Sequence, residues 1–179
     1  MKYIDNEDLK YVLNLVTNET NEYCGYLKPL LNEQVKLYVD GRSGYNGRKL
    51  CVTNPPYKEY LWHTHPINSK SYPSTEDILK VLKPRSKPNQ ILDSILFSAW
   101  GIWEFHCSNK QDTSGINTDI LNGLFNNLYH STYTGRGKQN DTVIILTIQN
   151  VMDYLIMWNF EMSFTPWDKV TTPHYLVYT

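Results

Sequence analysis

The spacing of hydrophobic and polar positions predicts a chain of alternating helices and strands. Over residues 6–19, Leu9, Val12, Leu13 and Val16 recur at helical spacing and form one apolar stripe. Shorter apolar or alternating runs predict the other elements: strands at 22–30, 34–40 and 59–65, a helix at 74–83, one or two strands within 90–105 around Gly101, a helix at 118–130, a helix over the later part of 143–158 and a strand at 159–164.

This order of elements predicts an α/β or α+β fold in which a mixed β-sheet lies between helices. The 179 residues predict a single domain spanning 1–179, because no repeat or change in composition divides the chain. Polar segments separate the elements: a glycine-rich hairpin loop at 41–49 and surface loops at 83–89 and 131–141.

Composition narrows the class of protein. The formal net charge of -1 and the absence of a basic stripe argue against a nucleic-acid or anionic-membrane partner. Three widely spaced cysteines, Cys24, Cys51 and Cys107, form no CxxC pair, so we expect free thiols in a reducing compartment. The N-terminus lacks the features of a signal peptide, and no apolar run approaches the ~20 residues of a membrane span. We therefore expect a soluble, intracellular (cytoplasmic) protein.

Two histidines at the end of a predicted strand are candidate metal ligands. His63 and His65 are two residues apart, so their side chains leave the strand on the same face and can converge on one cation such as Zn²⁺. Asp77, one turn into the following helix, is a candidate third ligand. The histidine pair and the Ser74–Asp77 pair each also have an explanation without a metal. Histidine pairs are common at strand ends, and Ser74 with Asp77 is a typical helix start.

The combination of these residues with an upstream segment resembles the JAMM family of zinc metalloproteases, also called MPN+ or JAB domains. The motif residues are Glu22, Cys24, Gly25 and Leu27 in "NEYCGYL", His63, His65 and Pro66 in "HTHP", and Ser74 and Asp77 in "STED". The resemblance covers about residues 6–105, and residues 106–179 would complete the domain. It implies a JAB/MPN-like fold with a cytidine-deaminase-like architecture.

The resemblance also implies a role for each site residue. His63, His65 and Asp77 would hold Zn²⁺, which lowers the pKa of a bound water toward ~7. Glu22 would act as general base, and the hydroxyl of Ser74 would hydrogen-bond the oxyanion or the water. The implied reaction is isopeptide hydrolysis on conjugates of ubiquitin or a ubiquitin-like protein.

One departure from the family pattern concerns the loop before Asp77. Eight residues separate His65 from Ser74, where the family usually has seven. We expect the loop to absorb the extra residue at 68–71 and still to deliver Asp77 to the two histidines.

Two other functions are compatible with the sequence. The chain can be an MPN-like scaffold with a vestigial site, or a metal-dependent hydrolase of another amide. Specificity is expected to come from loops at 41–58, 66–73 and 131–141. Aromatic residues near the cleft are candidates for holding an extended Gly-Gly tail: Tyr57, Tyr60, Trp62 and Tyr72.

Overall fold

The computed structural model describes residues 1–42, 60–67, 69–83, 93–108, 111–131 and 139–178. In this part of the chain lie eight strands and five α-helices. In chain order they are β1 (Tyr3–Ile4), α1 (Asn6–Asn18), β2 (Tyr23–Pro29), β3 (Gln34–Arg42), β4 (Tyr60–His65), α2 (Thr75–Leu82), β5 (Asp93–Ser98), β6 (Gly101–Cys107), α3 (Thr118–Leu124), α4 (Asn126–Ser131), α5 (Asp141–Tyr154), β7 (Phe160–Pro166) and β8 (His174–Tyr175).

All eight strands belong to one sheet with the order β7-β6-β5-β4-β2-β3-β1-β8. The β4–β5 and β1–β3 pairs are parallel and the other neighbours are antiparallel, which confirms the predicted mixed sheet. The candidate ligands lie on β4, near the middle of the sheet. A central strand buried on both faces is a rigid support for a site.

Helices cover both faces of this sheet, as the sequence predicts for an α+β protein. On one face, Leu96 and Trp103 pack in a cluster with residues of α2, α3, α4 and α5. On the other face, Trp62, Ile95 and Phe97 pack against α1. Alternation along β4 therefore directs Trp62 toward α1 and its neighbour His63 toward α2.

Several predicted elements need correction. The helix predicted over the later part of 143–158 begins at Asp141, because the side chain of Asn140 caps it by accepting from the Val143 N–H. The helix predicted at 118–130 is interrupted at Phe125, which ends α3. The two-residue strands β1 and β8 were not predicted, because so short a run carries no periodicity. Most of the predicted loops at 41–49, 83–89 and 131–141 lies outside the described residues.

The expectation of free thiols is wrong for Cys24. Cys107 has a buried thiol, but Cys24 on β2 is disulfide-bonded. Cysteines that folding brings together from distant positions leave no signature in their spacing. The compartment inferred from free thiols therefore loses its support.

No helix in the described part of the chain has both the length and the apolar character needed to cross a bilayer.

Gly25 allows the close approach of strands on which the site depends. A Cβ atom at this position would lie 1.6 Å from the carbonyl oxygen of Tyr38 on β3 and 3.0 Å from Nε1 of Trp62 on β4. The β2–β3 register shifts between Cys24 and Gly25, so the tight contact coincides with a bulge. Only glycine fits here without displacing one of the neighbouring strands.

Gly25→Ala is expected to lower the free energy of unfolding by about 1–3 kcal/mol or more, because the added methyl group meets backbone. The matched control is Gly123→Ala in α3, where an added Cβ has no neighbour within 4 Å. That control should leave stability unchanged or raise it by up to ~1 kcal/mol. Urea denaturation of both variants measures the difference, and equal effects would contradict the role assigned to Gly25.

Candidate metal centre

The pairing of β2 with β4 places a carboxylate beside the two histidines. Cys24 lies opposite His63 in this antiparallel pair, so Glu22, two residues earlier, falls near His65. Glu22, His63 and His65 each offer one ligand atom, and these atoms lie within 4.8 Å of one another. Both imidazoles are buried, whereas Glu22 is partly exposed. The three residues could hold a metal ion.

Asp77 brings a second carboxylate to the same point. Its Oδ1 lies 3.0 Å from Nε2 of His63 and its Oδ2 lies 3.4 Å from Nε2 of His65. The start of α2 fixes this position through a capping box in which Ser74 N donates to Asp77 Oδ2 at 2.9 Å and Asp77 N donates to Ser74 Oγ at 3.3 Å. The longer loop thus does deliver Asp77 to the histidines.

The Nε2 atoms of both imidazoles face the carboxylate of Asp77. His65 Nδ1 lies 3.0 Å from the carbonyl oxygen of Tyr72, which can only accept, so Nδ1 carries the proton and Nε2 has a free lone pair. His63 Nε2 is buried and lies 3.0 Å from Asp77 Oδ1. A buried imidazole nitrogen that faces a carboxylate is the arrangement expected where two ligands face one cation.

Burial and charge set the protonation states that metal binding requires. Burial lowers the pKa of His65, although Asp77 and Glu22 partly oppose the shift, so its imidazole is neutral at neutral pH. Burial alone would raise the pKa of Asp77. The adjacent His63, with His65 and the Ser74 N–H, instead holds the pKa of this carboxyl well below its usual range. A neutral imidazole and an ionised carboxylate are the forms that ligate Zn²⁺.

The loop between β4 and α2 is held at several points despite its extra residue. Ile67 N donates to the carbonyl of Val16 at the end of α1, and Ser69 N donates to the carbonyl of Pro66 to close a turn. Further along, Trp103 Nε1 donates to the carbonyl of Ser71 at 3.1 Å. These contacts orient the segment that carries the Tyr72 carbonyl to His65.

Two contacts that sequence reasoning missed position the site. The Tyr72 carbonyl fixes the tautomer of His65. Thr64, fully buried between the histidines, accepts a hydrogen bond from Tyr23 N at 2.9 Å and so anchors the backbone that follows Glu22. A buried threonine between two ligands was a usable signal for Thr64, whereas a backbone carbonyl leaves no trace in a sequence.

The prediction that aromatic residues line the cleft is wrong for Tyr60 and Trp62. Tyr60 and Trp62 pack in the core beneath α1, on the face of the sheet opposite the histidines, and Trp62 is 1% exposed. Alternation along β4 requires this, since residues one apart point to opposite faces. Tyr72 is buried beside the site, and Tyr57 lies outside the described residues.

The donor set fits zinc. Two imidazole nitrogens and one carboxylate are the ligands of many catalytic zinc sites, which keep a further position for water. His63, His65 and Asp77 supply such a set, and Glu22 adds a second carboxylate beside it.

Comparison with protein-family models, with curated proteins and with solved structures finds no significant match to this chain. The resemblance to the JAMM family therefore remains a hypothesis that rests on the motif residues.

The wild-type chain is expected to bind about one Zn²⁺ per molecule, and His63→Ala and His65→Ala to lose most of it, since each removes one ligand. His106→Gln is the matched control, because His106 is bonded to Asp93 instead, at 2.9 Å. Metal analysis after dialysis against a weak chelator measures the stoichiometry. Equal zinc in all three variants would exclude this site.

Proposed function

We propose that the chain is a zinc-dependent isopeptidase of the JAMM type that removes ubiquitin or a ubiquitin-like modifier from lysine. The observation that carries the proposal is the convergence of Glu22, His63 and His65 within 4.8 Å, with Asp77 against both imidazoles. These residues come from three separate segments of the chain and are the ones that the family motif names.

In this proposal His63, His65 and Asp77 hold the zinc ion. When bound, the ion would supply Lewis-acid chemistry and make a water nucleophile available near neutral pH. The protein contributes rigidity, because β4 is a central strand and Asp77 is fixed by the helix cap. The buried surroundings strengthen the electrostatic interactions of all three side chains.

Glu22 is the proposed general base. It lies beside the histidines but is only partly buried, so its carboxylate can reach both water and substrate. As base it would take a proton from the attacking water and return it to the leaving lysine amine. Asp77 is less suited to this role, because its two oxygens already face His63, His65 and the Ser74 N–H.

Ser74 is the proposed oxyanion donor. In the cap its Oγ accepts from Asp77 N, which leaves the hydroxyl hydrogen to donate elsewhere. Its side chain is partly exposed and lines a pocket beside the site. The same hydroxyl can therefore cap α2 and stabilise negative charge on a substrate carbonyl oxygen.

Glu22→Gln is expected to lower the rate of isopeptide cleavage by about 10²–10⁴-fold while zinc content is retained, because a general base is lost but no ligand is. Glu76→Gln, an exposed glutamate next to Asp77, is the matched control and should retain activity. Cleavage of ubiquitin chains and zinc content are measured on the same samples.

Other outcomes separate the competing functions. Loss of zinc in Glu22→Gln would make Glu22 a ligand and contradict its role as base. A wild-type chain without zinc would indicate a scaffold, and zinc-dependent cleavage of other amides but not of ubiquitin chains would indicate a different hydrolase.

Ser74→Ala is expected to lower kcat by about 10²–10³-fold with a smaller change in KM, and to cost about 1 kcal/mol of stability through the lost cap. Asn140→Ala removes the equivalent cap of α5 and controls for the stability term. Thermal unfolding and steady-state kinetics are compared for the two variants. Equal catalytic activities of the Ser74→Ala and Asn140→Ala variants would show that Ser74 acts only as a helix cap.

A further inference from the structure

A pocket of about 350 Å³ adjoins the metal centre on the α2 side. Its walls come from the loop before α2, the start of α2 and the segment from α3 to α4. The lining residues are Lys70, Tyr72, Pro73, Ser74, Thr75, Asn122, Phe125 and Asn126. The size lies within the ~300–1,000 Å³ typical of small-ligand sites.

The pocket and the metal centre share two wall residues. Tyr72 presents its ring to the pocket side and its backbone carbonyl to His65 Nδ1. Ser74 lines the pocket while its backbone N–H holds the carboxylate of Asp77. A substrate amide at the proposed zinc thus has its neighbouring groups within reach of the pocket.

The charge in the pocket has one sign. Among the described lining residues only Lys70 carries a formal charge, and no carboxylate lines the walls. The Lys70 ammonium lies 5.9 Å from the ring centroid of Tyr72, a cation–π contact that restricts its position. The Tyr72 ring is itself buried and stacks on Phe125, so the cation rests on a fixed surface.

An uncharged hydrogen-bond donor, the side-chain amide of Asn122, lines the pocket together with the loop that carries Lys70. Thr75 Oγ1 donates to Oδ1 of Asn122, which orients the amide and leaves its Nδ2 hydrogens to donate to another group. A lysine ammonium together with an amide N–H donor is a set suited to a carboxylate.

We propose that this pocket, named the Lys70 pocket, binds a carboxylate of the substrate next to the scissile amide. The carboxylate comes either from an acidic side chain or from a free chain terminus. The proposal rests on the proposed function for its position in a reaction, and it makes Lys70 a residue that determines specificity. The loop whose length departs from the family pattern is the one that carries this lysine.

The test is direct binding, which does not require turnover. N-acetylglutamate α-amide, N-acetylglutamine with a free α-carboxylate, and neutral N-acetylglutamine α-amide are titrated into the zinc-loaded protein by calorimetry. At least one acid should bind about 3–10-fold more tightly than the neutral amide, and which acid does so identifies the source of the carboxylate. Added salt should reduce the preference.

Variants test whether the preference for an acid over the neutral amide arises in the Lys70 pocket. Lys70→Gln should abolish it, Lys70→Arg should retain it, and Lys10→Gln, the same charge change on the exposed face of α1, should leave it unchanged. A preference that survives Lys70→Gln would mean that the carboxylate binds the metal, and would overturn the proposal. Equal binding of all three probes to the wild type would overturn it as well.

Measurements of peptide cleavage distinguish a failure of this inference from a failure of the proposed function. Peptide cleavage without any preference for acidic substrates would retain the hydrolase and refute the Lys70 pocket. Charge-selective binding that depends on Lys70, in a protein that cleaves no amide, would retain the pocket and refute the hydrolase.

Discussion

The site depends on one carboxylate that serves a helix start and two imidazoles at the same time. Asp77 occupies the third position of α2, where its side chain accepts the Ser74 N–H and so completes the capping box. The other contacts of the same group are with His63 and His65. Because the backbone of the first helical turn fixes this side chain, the position of the carboxylate does not depend on a bound cation. The structural role of "STED" as a helix cap is therefore compatible with the metal-binding role that we propose for Asp77.

The sheet supplies the remaining constraints. Its central strand, β4, is covered on one face by α1 and on the other by α2, so both histidines are buried, and for His65 this burial favours the neutral imidazole. The neighbouring strand β2 brings Glu22 to the rim, where solvent still reaches it. One carboxylate is thus enclosed and the other accessible, and this difference underlies the separate roles that we propose for them.

Local patterns predicted the parts of the site that depend on local geometry. Alternation placed His63 and His65 on one face, and the cap signal placed the start of α2 at Thr75. Local patterns cannot predict contacts between distant segments. The contact of the Tyr72 carbonyl with His65 and the disulfide of Cys24 form only when the chain has folded. The short strands β1 and β8 were missed for the same reason, since pairing and not periodicity defines them.

Gly25 has a consequence for how the chain reaches this structure. In an antiparallel pair, a slip of one residue would turn every side chain of β2 to the opposite face and carry Glu22 away from the histidines. Such a slip would also move a residue with a side chain under the Tyr38 carbonyl, where the space admits none. Steric overlap at this one position therefore disfavours strands paired in the wrong register. The correct register of β2 depends on Gly25.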